Sequence, residues 1–210
     1  MTKALTLKKS LGQHFLHDEL ICREIIRQID RKPDLQLLEI GPGGGALSKY
    51  LLKWKDTRYQ AIEVDEEKVD FLLKTYPEIH GKILHIDFLH APPPFEGDFT
   101  IIGNFPYNIS SQILFRILDW EDQVSEMVGM FQKEVAQRIA SKPNTKVYGI
   151  LSVLVQAFYN VEYLFDVPAS AFNPPPKIVS GVIELKMKNE KIDVKSEKHF
   201  FLLVKTAFNQ

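Results

Sequence analysis

The sequence predicts an α/β fold, with a mainly parallel sheet, helices on both of its faces and an antiparallel strand pair towards the C-terminal end. Three observations carry this prediction. Through residues 18–140, short apolar stretches alternate with stretches whose apolar residues recur every three or four positions. That is the pattern of parallel strands joined by crossover helices. The first of these strands ends in Glu39-Ile40-Gly41-Pro42-Gly43-Gly44-Gly45, a cluster that lets the backbone turn tightly from strand to helix. Beyond residue 158 the alternation stops, and two further strand-like stretches, 161–167 and 182–187, have no helical pattern between them.

Each element follows in turn. Residues 18–29 set Leu20, Ile21, Ile25, Ile26 and Ile29 at helical spacing, with Asp18 as the N-cap. Residues 35–40 read as a short buried strand, 46–54 as a helix, 59–64 as a second strand and 66–76 as a second crossover helix. A third strand is expected over 83–86, then a loop over 91–95 containing Pro92, Pro93 and Pro94, and a fourth strand over 99–103. A helix over 110–118, a fifth strand over 124–131 and helices over 133–140 and 148–158 complete the run. Between the last two strands, residues 172–177 carry Pro174, Pro175 and Pro176 and are expected to form a rigid extended loop that cannot donate to a ladder. Residues 197–208 again show apolar periodicity. Sheets of this kind bind ligands at the carboxyl ends of their strands, so the loops after each strand are where chemistry is sought.

Composition narrows the class. With 210 residues, 45% of them hydrophobic, the chain buries a substantial core as one domain, with room for a small appendage. No apolar run approaches membrane-spanning length. The basic N-terminus lacks the apolar stretch of a signal peptide. The single cysteine, Cys22, excludes an internal disulfide and a Cys-rich metal site, and the six histidines show no metal-ligand spacing. These features predict a cytoplasmic protein without a metal. The net charge of -1 argues against a nucleic-acid partner. Its distribution argues the other way, because residues 1–32 and residues 177–210 each hold seven Lys/Arg against four Asp/Glu.

Two constellations carry chemistry. In the first, Glu63 follows Gly41 by 22 residues, at the end of the next strand. A glycine turn such as Gly41 to Gly43 followed by an acid at that distance suits a nucleoside cofactor whose ribose hydroxyls the carboxylate holds. Glu39 would repel a pyrophosphate but could hold the ammonium of S-adenosylmethionine, which favours that cofactor over NAD. Asp87, after the third strand, suits an adenine amino group, and equally suits a helix cap or a solvated loop. In the second, Asn104-Phe105-Pro106-Tyr107 follows the fourth strand. An aromatic amine is a poor nucleophile because its lone pair is delocalised into the ring. The Asn104 side-chain oxygen and a backbone carbonyl stiffened by Pro106 could accept its two hydrogens and pyramidalise the nitrogen. Tyr107 offers a stacking face for an extruded base. Alone, this tetrapeptide is as consistent with a plain turn. By its own chemistry Phe172 reads as the apolar anchor of a proline-stiffened connector.

These residues resemble the KsgA-type small-subunit ribosomal RNA adenine dimethyltransferases. The matching segments are Lys9-Ser10-Leu11-Gly12-Gln13-His14-Phe15-Leu16, the Glu39 to Gly45 loop, Glu63-Val64-Asp65, Gly103-Asn104-Phe105-Pro106-Tyr107-Asn108-Ile109-Ser110, Phe131-Gln132-Lys133-Glu134-Val135-Ala136 and residues 172–180. They keep the family's order and cover nearly the whole chain. The resemblance implies a Rossmann-like class I methyltransferase fold and methyl transfer from S-adenosylmethionine to N6 of two neighbouring adenines near the end of 16S rRNA, in the small ribosomal subunit, by a monomer. It also implies cofactor contacts from His14, Leu16, Gly41, Glu63, Asp87 and Asn104, and it makes Phe172 a second base-stacking wall. Leu is commoner than Phe at position 105, a change of little consequence if the backbone carbonyl is the contact. Family members continue past the position of Gln210 into a basic helical domain, so residues 1–190 are expected to be the methyltransferase domain and residues 191–210 the start of a truncated second one. Two alternatives stand beside this reading: a large-subunit rRNA methyltransferase of the macrolide-resistance kind, which shares the Asn-x-Pro-aromatic loop, and a non-catalytic ribosome-assembly factor.

Overall fold

A computed structural model describes residues 14–190 and 196–208 of the chain. Residues 1–13, with the family-matching positions 9–13, and the expected domain boundary at 190/191 lie in whole or in part outside them. The main sheet has seven strands in the order β4-β3-β2-β5-β6-β9-β7. These are β2 (Leu35–Ile40), β3 (Thr57–Glu63), β4 (Ile83–His85), β5 (Phe99–Asn104), β6 (Val124–Gln132), β7 (Tyr159–Val167) and β9 (Ser180–Met187). The first five pair in parallel. The last two form the antiparallel pair, with β9 inserted between β6 and β7. Two two-residue strands, β1 (Phe15–Leu16) and β8 (Phe172–Asn173), pair separately.

The alternation of side chains along the strands divides the core into two layers. Leu38, Ile40, Ile101, Met127 and Ile183 pack with helices α4 (Ser110–Leu118) and α6 (Ile150–Phe158). Leu35, Leu37, Ala61, Ile102, Val128 and Val182 pack on the opposite face with α1 (Glu19–Arg27), α2 (Ser48–Leu51) and α3 (Glu66–Thr75). Helices α5 (Lys133–Ile139) and α7 (Glu197–Phe208) complete the set. No described helix is long and apolar enough to cross a membrane. The chain moves outward from β2 to β3 and β4, then returns to place β5 on the other side of β2. That reversal opens a crevice between the carboxyl ends of β2 and β5.

Three local expectations are corrected. The helix read over 46–54 is a single turn, Ser48–Leu51, because residues 44–47 are still turning out of the glycine loop. The periodicity puts Leu20 on the apolar face of α1, but it is 78% exposed. The buried stripe is Cys22, Ile25, Ile26 and Ile29, and Leu20 falls within the first turn, where the Asp18 carboxylate caps the N–H groups of Leu20 and Ile21. Residues 172–177 do enter a ladder. Phe172 and Asn173 retain their N–H groups and pair with Leu16 and Phe15, and the pairing stops at the first proline.

Candidate active site

A cavity of about 400 Å³ occupies the crevice, a size suited to one nucleoside-sized ligand. Its walls come from the loops after β2, β3, β4 and β5, with the segment His14 to His17 closing one side. Gly41 has φ 65° and a hypothetical Cβ there would meet nothing within 4 Å, so bare backbone faces open space. Glu63 is 5% exposed. Its carboxylate accepts from the N–H groups of Gly43 (3.1 Å), Val64 (2.9 Å) and Asp65 (3.0 Å). These bonds tie the end of β3 to the glycine loop and hold an acceptor at the cavity wall. Val64 and Ile86 line the cavity and remain 52% and 37% exposed, apolar surface that a flat aromatic ring would cover. Asp87 combines the two readings the sequence left open. It lines the cavity, and its Oδ1 accepts from Leu89 N (2.9 Å) as the cap of the 3-10 turn Phe88–His90.

Glu39 departs from the ammonium-binding expectation. It reaches the cavity wall, but its side chain is 1% exposed and Oε2 accepts from Ser48 Oγ (2.8 Å) and from the Tyr59 hydroxyl. Burial pushes its carboxyl up to about 7, against the lowering effect of the two hydroxyls. Glu39 therefore braces the base of the glycine loop against β3 and α2.

The other half of the cavity is built around Asn104, the last residue of β5. Asn104 Nδ2 donates to the His14 carbonyl at 3.4 Å, which fixes which end of the amide is which. Phe105 N donates to Met130 O (3.2 Å), and the Phe105 ring is 1% exposed, 5.0 Å from the Phe131 ring. The ring occupies space vacated by two glycines. A Cβ at Gly103 would lie 2.5 Å from it and one at Gly129 2.3 Å. The side chain of Phe105 is thus an anchor, and only its backbone is available to a ligand. Pro106, at φ -59°, leads into the one-turn helix Tyr107–Ile109. Tyr107 lines the cavity, its hydroxyl pairs with Ser180 Oγ (2.6 Å) and its ring lies 5.9 Å from that of His14. Burial raises the Tyr107 phenol above its ordinary value, so it stays neutral.

The expected residues therefore gather with one exception. His14, Leu16, Glu39, Gly41, Gly43, Glu63, Asp87, Asn104, Phe105, Pro106 and Tyr107 all line one cavity. Phe172 does not. It is 2% exposed and packs in the core layer with Leu16, Ala171 and Val182, so its ring presents no face to a base. Pairing with Leu16 in the β1–β8 ladder holds it there, which restores its reading as an apolar anchor. Its neighbour segment still matters, because His14 Nδ1 bonds to Pro174 O (2.9 Å) and so pins the strap that closes the cavity. Sequence reasoning missed Ser180, Ser48, Tyr59 and the two glycines under Phe105. For Gly129 a signal existed, since glycine inside a buried strand marks close approach. For the hydroxyls there was none. Among the described residues no group of three or more His, Cys, Asp or Glu is gathered to hold a metal ion.

The residues fit S-adenosylmethionine. There is exposed backbone at the glycine turn, a rigidly held carboxylate at the ribose position of the Gly41–Glu63 pattern and apolar surface at Val64 and Ile86 beside Asp87. Comparison with known proteins agrees. Residues 4–210 match the family model "Ribosomal RNA adenine dimethylase". The chain is 52% identical over 206 residues to "Ribosomal RNA small subunit methyltransferase A" of Flavobacterium johnsoniae, covering 97% of this chain and 78% of that one. Among solved structures, a dimethyladenosine transferase from Plasmodium falciparum superposes with a TM-score of 0.82 at 26% identity, over 94% of this chain and 71% of the other. The 23S rRNA methyltransferase ErmE superposes at 0.74, also at 26% identity, over 93% and 79%. The fold is that of the class I S-adenosylmethionine-dependent methyltransferases, and the chain belongs to the ribosomal RNA adenine dimethylase family.

Proposed function

We propose that this chain methylates N6 of two adjacent adenines near the 3′ end of 16S rRNA, twice each, within the small ribosomal subunit. It acts in the cytoplasm and as a monomer. The observation that carries the reading is that Asn104 to Tyr107 and the Gly41–Glu63 nucleoside loops share one cavity. S-adenosylmethionine, when bound, supplies an electrophilic methyl group on a sulfonium. The chain's own residues do the rest. Glu63 accepts hydrogen bonds from ribose hydroxyls, and the apolar walls at Val64 and Ile86 exclude water from the adenine. The amide of Asn104, oriented by the His14 carbonyl, turns Oδ1 towards the target amine. Oδ1 and the Phe105 carbonyl accept the two N6 hydrogens, which localises the nitrogen lone pair and aims it. Tyr107 stacks on the extruded ring. After each transfer the alkylated nitrogen sheds one proton to solvent, so the first methylation leaves one N–H on N6 and the second uses one of the two acceptors.

Identity near 50% to small-subunit enzymes, against 26% to ErmE, supports the small-subunit substrate over a large-subunit one. Residues 1–190 are assigned to the methyltransferase unit and 191–210 to the beginning of a helical one. The exposure of Leu202 and Leu203, at 62% and 69%, supports a further packing partner for α7, whose other side, with Phe200, Phe201 and Val204, joins the core beside α6. The test is transfer of labelled methyl groups to unmethylated small subunits, followed by mapping of the modified positions. Two adjacent dimethyladenosines near the 3′ end are expected. Label at other positions of the small-subunit rRNA, or no label, overturns the proposal.

A further inference from the structure

We propose that Ser180 is a positioning residue for methyl transfer, acting by fixing the orientation of the Tyr107 ring through its buried hydroxyl. The inference rests on the stacking role given to Tyr107 above. Ser180 is fully buried and its Oγ lies 2.6 Å from the Tyr107 hydroxyl, a bond between residues 73 apart in sequence.

The anchor is stiff. Ser180 is the first residue of β9 and is paired on both sides, with Gln132 of β6 and Val167 of β7. Lys133 N donates to the carbonyl of Val179 (3.0 Å), which closes the ladder just ahead of it. The next residue, Gly181, is so closely covered that a Cβ there would lie 2.6 Å from the Tyr163 hydroxyl and 3.0 Å from Ala136 Cβ. Oγ is therefore a point fixed to the central sheet at its carboxyl edge. Tyr107 is held at its other end by backbone, its carbonyl accepting from Ser110 Oγ at 3.0 Å. An aromatic ring anchored only through Cα and Cβ still rotates about two side-chain torsions. Pinning the hydroxyl removes that freedom and leaves one plane for a base to stack on. A ring pre-set in this way serves the reacting geometry, where small misplacements cost rate steeply. A serine that merely satisfied a buried phenol would contribute stability and leave the rate constant alone.

The experiment is a double-mutant cycle on the whole chain with Ser180→Ala, Tyr107→Phe and the pair together. It reads single-turnover transfer to unmethylated small subunits at saturating cofactor, cofactor affinity by calorimetry and thermal unfolding. Each single variant is expected to slow transfer roughly tenfold, with the double no slower than the worse single and cofactor affinity changed less than about twofold. A Ser180→Ala rate equal to wild type overturns the assignment, as does a double variant slowed by the product of the two singles. If Ser180→Ala does not fold, Tyr107→Phe carries the test, because it removes the same bond and keeps the ring; wild-type rate in that variant overturns the assignment too. A wild-type chain without transfer would sink the functional reading and this inference with it. An active wild type with an unaffected cycle sinks only the inference.

Discussion

The two halves of the cavity are built in opposite ways. The cofactor half is local. Glu63 bonds to the backbone of its next two residues and to Gly43, and Asp87 caps the turn that follows it. Its parts are the ends of adjacent parallel strands, and the strand register alone brings them together. The base half is assembled from afar. Asn104 is oriented by His14, 90 residues away, and Tyr107 by Ser180, while Phe105 sits on Gly129 of the neighbouring strand. The lesson is that binding a common cofactor needs only the topology of the sheet, whereas positioning a particular base needs contacts that the rest of the fold must supply.

Substitutions in the two halves should therefore separate in kinetics. Asn104→Ala should give the largest effect. With its acceptor gone, single-turnover transfer should fall on the order of 10²–10³-fold, the range for losing one preorganised polar contact to a reacting group. Cofactor affinity should hold. A saturated variant that transfers at the wild-type rate would remove Asn104 from the chemistry.

The next effect tests the footing of the cofactor half, the buried Glu39 beneath the glycine loop. Its carboxyl is raised from 4.5 to about 7 by burial, so the folded state holds the proton more tightly than the unfolded one. That contribution to stability is fully present below pH 4.5 and is lost as the pH rises through 7. Tyr59 stays neutral throughout, its phenol being raised well above 10 by burial and by the adjacent carboxylate. Relative to Glu39→Gln, the wild type should lose on the order of 3 kcal/mol between pH 4.5 and pH 7.5. Urea unfolding of both proteins across that window measures it, and parallel stability curves would mean that Glu39 does not titrate there.

The smallest effect should mirror the first. Glu63→Ala should weaken S-adenosylmethionine binding by about 1.5–3 kcal/mol through lost charge-assisted hydrogen bonds, while the rate at saturating cofactor is largely kept. Calorimetry and single-turnover kinetics on the same preparation decide it. Unchanged affinity would take Glu63 out of the site, and a rate loss as deep as that of Asn104→Ala would erase the division between the halves.

The same division marks what could be read in advance. The glycine turn, Glu63 and the Asn104-Phe105-Pro106-Tyr107 loop were legible because each is a short motif at the end of a strand whose periodicity announces it. Phe172 reads from its own chemistry as the apolar anchor it is, and only the resemblance makes it a stacking wall, because an aromatic residue beside three prolines looks the same whether its ring faces a ligand or the core. Only the β1–β8 ladder turns it inward. The brevity of α2 was hidden because helical spacing over 46–54 says nothing of how many residues the preceding turn consumes.

By itself, then, the amino-acid sequence determined the alternation of strands and helices, the parallel sheet with its antiparallel finish, and the chemical character of the loops. These depend on side-chain periodicity and backbone preference over a few residues. The tertiary structure alone decided that β9 lies between β6 and β7, that Gly103 and Gly129 make room for one ring, and that Ser180 meets Tyr107. Such contacts join residues whose separation along the chain carries no local signal. They are selected by packing, when the whole sheet closes and each buried polar group must find a partner.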